Sequence, residues 1–137
     1  MLMPDLRTKL GHFGEQAAAA HLIRQGYQLV TRNWRGPTRA QGGPGGELDL
    51  VLRDGTTLVF VEVRTRRIAG VTRDSAEAEE SVGPSKRARL IGLAYAYLEA
   101  ASVSADAPWR IDVVALDVDR AGRIAGLRHI RDAVEEA

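Results

Sequence analysis

Two short stretches of this chain set carboxylates into otherwise apolar runs. One reads Glu47-Leu48-Asp49-Leu50-Val51-Leu52, the other Leu58-Val59-Phe60-Val61-Glu62-Val63-Arg64. Both alternate as strands do, and Asp54-Gly55-Thr56 between them is a hairpin signal. Alternation assigns Glu47, Asp49 and Val51 to one face of the first strand and Leu48, Leu50 and Leu52 to the other. In the second strand Phe60, Glu62 and Arg64 share a face, opposite Val59, Val61 and Val63. Register then decides whether the acids meet. With Gly55-Thr56 as the two-residue turn, Asp49 lies directly across from Glu62. With Asp54-Gly55 as the turn, Asp49 faces Phe60 and Glu62 is its diagonal neighbour. Both registers put the carboxylates on one face with Cβ atoms ~5–8 Å apart, whereas a three-residue loop would separate them. Carboxylates that close repel, so one must hold a proton or a cation must sit between them. Mg²⁺ favours such hard oxygens, typically taking one or two carboxylates together with water and a phosphate. The competing reading is a solvated strand face bearing ordinary charges. Phe60 beside Glu62 argues against it, because a partly covered face makes bare acids costly.

The elements that must position these acids follow from periodicity and punctuation. Thr8 to Gln25 reads as an alanine-rich helix stopped by Gly26, and Tyr27 to Trp34 as a first strand. Arg35 to Gly46 holds five glycines and two prolines, which predicts a mobile loop without regular structure. The acidic strands follow at Glu47–Arg53 and Thr57–Arg66. A second mobile loop is expected over residues 67–84, with Glu77, Glu79 and Glu80 as an acidic patch. Ser85 is the expected N-cap of a helix from Lys86 to Ala101, with Leu90, Leu93, Ala94, Tyr97 and Leu98 at helical spacing. Strands at Trp109–Val118 and Ile124–Ile130 complete the chain. The second helix has the length of a crossover, so the strands on either side of it can pair in parallel. The expected architecture is one α/β domain over residues 1–137 with a mixed sheet.

Composition narrows the chemistry. The chain has 137 residues and no cysteine, which removes thiolate zinc sites, thiol nucleophiles, iron–sulfur clusters and disulfide scaffolds. No run approaches the ~18 apolar residues of a membrane span. An acid falls early in Met1-Leu2-Met3-Pro4-Asp5, where a secretory signal would need apolar residues. The cytoplasm is therefore the expected location, with no membrane partner. Net charge is only +1, yet Lys9 and Lys86 are the only lysines and arginine supplies every other side-chain cation. The positive charge gathers in the half that holds the acidic hairpin, a distribution suited to anions.

Taken in order, several short motifs resemble the YraN-like family. They are Gly14-Glu15 before the alanine run, Gly26-Tyr27, Arg32-Asn33, Gly46-Glu47-Leu48-Asp49-Leu50, Phe60-Val61-Glu62-Val63-Arg64-Thr65-Arg66, Lys86 at a helix start and Arg110-Ile111-Asp112-Val113-Val114. That family is similar to restriction-endonuclease-like nucleases and Holliday junction resolvases. The resemblance implies an αβββαβ core, a PD-(D/E)XK-type site and a nucleic-acid partner, DNA first, with a homodimer admitted. It implies Asp49 and Glu62 as ligands of Mg²⁺ or Mn²⁺, with Glu15 as the acid from the first helix. Arg64 stands where the signature has Lys. An arginine can clamp phosphate but cannot act as a base, since its pKa stays above ~12. Three readings stay open: Arg64 only clamps phosphate, Lys86 reaches in from the second helix, or the chain is an inactive interaction module that keeps the fold. Arg66 and Arg67 leave the same strand and, with Arg35, Arg39 and Lys86, are expected to grip phosphates. His12, His21 and His129 lack metal-ligand spacing. Trp34 and Trp109 read as core or strand-edge residues, and Asp112 as a structural partner for a basic side chain.

Overall fold

Small residues dominate the face of the first helix that meets the sheet, and this lets it lie close. The computed structural model describes residues 6–69, 82–104 and 106–135. Its elements are α1 (Leu6–Arg24), β1 (Gln28–Arg35), β2 (Glu47–Asp54), β3 (Thr57–Arg67), α2 (Pro84–Ala100), β4 (Trp109–Val118) and β5 (Ile124–Ile130). The strands form one sheet in the order β1-β2-β3-β4-β5. The β3–β4 pair is parallel and the other pairs are antiparallel. This is the expected α/β architecture with an αβββαβ core, and α2 is the crossover that makes the parallel pair possible.

The sheet is covered on both faces. Ala18, Ala19 and Leu22 of α1 pack with Leu50, Leu52, Val59, Val61, Val114 and Leu116. Leu90, Leu93, Ala94, Tyr97 and Leu98 of α2 pack with Val51, Leu58, Phe60, Ile111 and Val113. Each fully buried Leu, Val or Phe contributes about 1.5–3 kcal/mol, so these two layers hold the central strands rigidly at the charged end. Phe60 is completely buried. The face it shares with Glu62 is therefore an interior layer under α2, more enclosed than the partly covered surface the sequence suggests. Trp34 and Trp109 pack against that layer, as expected of core-edge residues.

Four expectations need correction or restriction. Leu48 joins Val51 in the α2 layer, while Leu50 and Leu52 lie in the α1 layer, so strict alternation fails between Leu48 and Leu50. The change of face lies opposite Asn33, whose backbone is left-handed at φ 50°. The α2 N-cap is Gly83, with Pro84 in the first turn. Proline's fixed φ suits that turn, so Ser85 is already helical rather than a cap. The segment Arg35–Gly46 contains a 3-10 turn at Arg39–Gln41, closed by a Thr38–Gln41 capping box. Gly43 N–H donates to the Thr38 carbonyl at 2.8 Å, and a Cβ on Gly43 would collide with Pro37. Most of the second expected loop, with Glu77, Glu79 and Glu80, lies outside the described residues. Among the described residues no helix is long and apolar enough to cross a membrane.

Candidate active site

The turn between β2 and β3 is the two-residue Gly55-Thr56 form, since Asp54 pairs with Thr57. The ladder runs from there to Leu50 opposite Val61. One step further, Asp49 and Glu62 stand across from each other at the point where the backbone pairing ends. There the Asp49 Oδ2 accepts the Val63 N–H at 2.8 Å, so a side chain replaces a ladder carbonyl.

Helix α1 brings the next acid. A Cβ on Gly14 would collide with the Thr65 hydroxyl, so glycine lets α1 press onto β3 here. Glu15, the following residue, thereby reaches the end of the hairpin. Glu15, Asp49, Glu62 and Arg64 line one open cavity of about 410 Å³, together with Leu10, Gly11, Val63 and Thr65. Glu47 completes the cluster. One carboxylate oxygen each from Glu15, Glu47 and Asp49 lies within 4.8 Å of the other two. Asn33 Nδ2 donates to Glu15 at 2.9 Å and to Glu47 at 3.2 Å, and Arg35 Nε reaches Glu47 at 3.3 Å.

Negative charge gathers around Asp49 as a result. Burial, then Glu62, then Glu15 and Glu47 push its pKa up to about 7, against the pull of the Val63 N–H. Glu62 is itself buried and is held differently. Its Oε1 lies 2.9 Å from Lys86 Nζ, which enters from the first turn of α2.

Glu15 and Asp49 thus meet as the family resemblance implies, with Glu62 beside Asp49 but tied to a lysine. Glu47 was legible as a same-face neighbour of Asp49, two residues away, but was assigned no role. The sequence marks Asn33 only as part of the Arg32-Asn33 motif of the family resemblance, with no role attached. Arg64 lies in the cavity wall. Arg35 and Arg39 are exposed on the glycine-rich segment beside Glu47. The Arg39 and Arg89 side chains lie over Gly45 and Gly46. Arg67 is exposed at the end of β3. Arg66 is engaged elsewhere, with its Nε 2.7 Å from Asp117 in β4.

An αβββαβ sheet with carboxylates from α1, β2 and β3 and a lysine from α2 defines an α/β protein with its polar centre at the end of the central hairpin. The profile of the Uncharacterised protein family UPF0102 matches residues 14–116. A UPF0102 protein of Roseiflexus castenholzii is 46% identical over 135 residues, covering 98% of this chain and 100% of its own length. One from Chloroflexus aurantiacus is 46% identical over 134 residues, covering 98% of this chain and 99% of its own. One from Pelotomaculum thermopropionicum is 39% identical over 131 residues, 96% of this chain and 99% of its own. The chain belongs to the UPF0102 family, also called the YraN family.

Proposed function

We propose that this protein is a metal-dependent nuclease that hydrolyses phosphodiester bonds in nucleic acid, DNA first. The observation that carries the reading is the mismatch of charge at Asp49. Three carboxylates crowd a half-buried fourth, whose Oδ2 accepts the backbone N–H of Val63. A group in that position favours either a proton or a cation. The donor set fits Mg²⁺ or Mn²⁺, because it is made of hard carboxylate oxygens, and Glu15, Glu47 and Asp49 would hold the ion. When bound, such an ion supplies Lewis-acid polarisation of the phosphate and a more acidic attacking water.

The chain's own residues do the rest. Lys86 stands on Glu62 and offers an ammonium group at the edge of the cluster, where a lysine of β3 would otherwise be sought. Glu62 fixes its position, and an ammonium there can neutralise a phosphate oxygen or donate a proton to a departing alkoxide. Arg64, in the cavity wall, serves as the phosphate clamp, a task that suits its planar fork. Arg35, Arg39 and Arg89 flank the approach and supply contacts to neighbouring phosphates, with Arg67 at the end of β3.

The test is cleavage of flapped, branched and single-stranded DNA with Mg²⁺ or Mn²⁺, comparing the parent with Glu62→Ala, Lys86→Ala and Arg64→Lys. The parent should cleave at least one substrate. Lys86→Ala should lose roughly 10²–10³-fold, the usual cost of one electrostatic donor. Arg64→Lys, which keeps a cation, should lose less than that. Binding of every substrate without cleavage under either metal would overturn the nuclease and leave an interaction module.

A further inference from the structure

Three non-glycine residues among those described have a positive φ, and only Asn33, at 50°, lies inside a strand. Such a conformation is costly for most side chains, and asparagine is among the few that tolerate it. The β1–β2 register pairs Arg32 with Leu50 and Trp34 with Leu48, which sets Asn33 opposite Asp49. The one strand residue among those described with a left-handed non-glycine backbone therefore sits beside the sheet's most crowded acid. Its side chain donates to Glu15 of α1 at 2.9 Å and to Glu47 of β2 at 3.2 Å. With carboxylates on both sides, only the nitrogen end of the amide can face them, and its two hydrogens suffice for both.

We infer that Asn33 is the positioning residue of the carboxylate cluster. It ties Glu15 to Glu47 from a strand that contributes no acid itself, and its left-handed backbone is what aims the amide between them. A neutral donor suits the task. It orients carboxylate oxygens without cancelling their charge, and each oxygen keeps a second lone pair for an ion. A lysine in the same place would neutralise the cluster it was meant to organise. The inference rests on the metal-binding reading proposed above.

Calorimetric titration with Mn²⁺, alongside thermal unfolding without metal, tests it on the full chain as parent, Asn33→Gly and Asn33→Ala. Glycine accepts the left-handed backbone and lacks the amide, whereas alanine lacks the amide and strains the backbone. Both variants should bind Mn²⁺ about 10–100-fold more weakly, the usual cost of losing an outer partner of metal ligands. Only the alanine variant should melt clearly below the parent. Glycine binding with parental affinity would overturn the inference and reduce Asn33 to a backbone fit. A glycine variant that no longer folds would also overturn it, by making Asn33 a folding requirement. A parent that binds no Mn²⁺ removes the underlying metal site, and the inference falls with it.

Discussion

Asp49 and Asp112 are two acids of one sheet, the first half-buried at an open cavity and the second in the interior, and their surroundings could hardly differ more. Asp112, on β4, is completely buried. It accepts from Arg110 Nε at 3.0 and 3.2 Å, from the Asp132 N–H at 2.9 Å, and pairs with His129 Nε2 at 2.8 Å. Arg110 extends the network to Tyr27 at 2.8 Å and to Asp54. Burial alone would push Asp112 up, but the hydrogen bonds from His129, Asp132 and Arg110 outweigh it and hold the carboxyl below its ordinary range. Asp49 has one backbone N–H and three acidic neighbours, and its pKa rises to about 7. The more deeply buried acid is thus the fastener, and the one at the open cavity is the strained charge. What separates them is whether partners were supplied. The settled acid ties β4 to β5 and to the segment after it, and the unsettled one is available to a ligand.

Opposite responses to mutation are the largest consequence. Asp112→Ala strands Arg110 and should cost about 3–5 kcal/mol, the usual penalty for breaking a buried charge pair from one side. Asp49→Asn should stabilise the metal-free protein at pH 8, by up to roughly 2–4 kcal/mol for a shift of this size. Urea unfolding of both variants checks the pair, and an Asp49→Asn protein less stable than the parent at pH 8 would erase the contrast.

The pH profiles should also run in opposite directions. Asp49 has a raised folded pKa, so its contribution is fully present below the unfolded value of 3.8 and is lost as pH climbs to about 7. Asp112 has a lowered folded pKa, so its contribution is present above ~3.9 and disappears as pH falls through the folded value. Metal-free unfolding free energies from pH 4 to 8 should therefore decline in the parent and flatten in Asp49→Asn. Mn²⁺ at about 100 times its Kd should restore about 2.7 kcal/mol at pH 8 to the parent and nothing to the variant.

The smallest expected effect separates the arginines in the same way. Arg66 and Arg128 both hold Asp117, at 2.7 and 3.0 Å, as Arg110 holds Asp112. On the nucleic-acid reading proposed above, Arg66→Gln should thus leave the salt dependence of DNA binding unchanged, whereas Arg39→Gln should lower its slope by about 1. Equal slopes for the two variants would place Arg66 on the nucleic acid after all.

Much of this was legible in the residues. Alternation with a Gly-centred turn located the acidic hairpin, and the length of the second helix implied the parallel pair. The register left open between two turns is decided by Asp54 opposite Thr57. The face of Leu48 was beyond reach, because period-two counting assumes an unbroken pleat and Asn33 interrupts the neighbouring strand. Glu47 stayed ordinary for want of that same residue. Lys86 reaching in from the second helix was one of three open readings of Arg64, and only tertiary packing brings the start of α2 to Glu62. Arg66 looked free because its partner, Asp117, lies fifty-one positions away in the chain.

The crossover helix also sets an order of assembly. The two acids of the hairpin can meet as soon as β2 and β3 zip together, a local event on the microsecond scale. The cation on α2 arrives only when that helix has docked on the hairpin across the intervening segment, a slower closure. A growing or partly folded chain would therefore carry the carboxylates before the lysine. The complete set of groups would exist only once α1 and α2 have both docked on the hairpin.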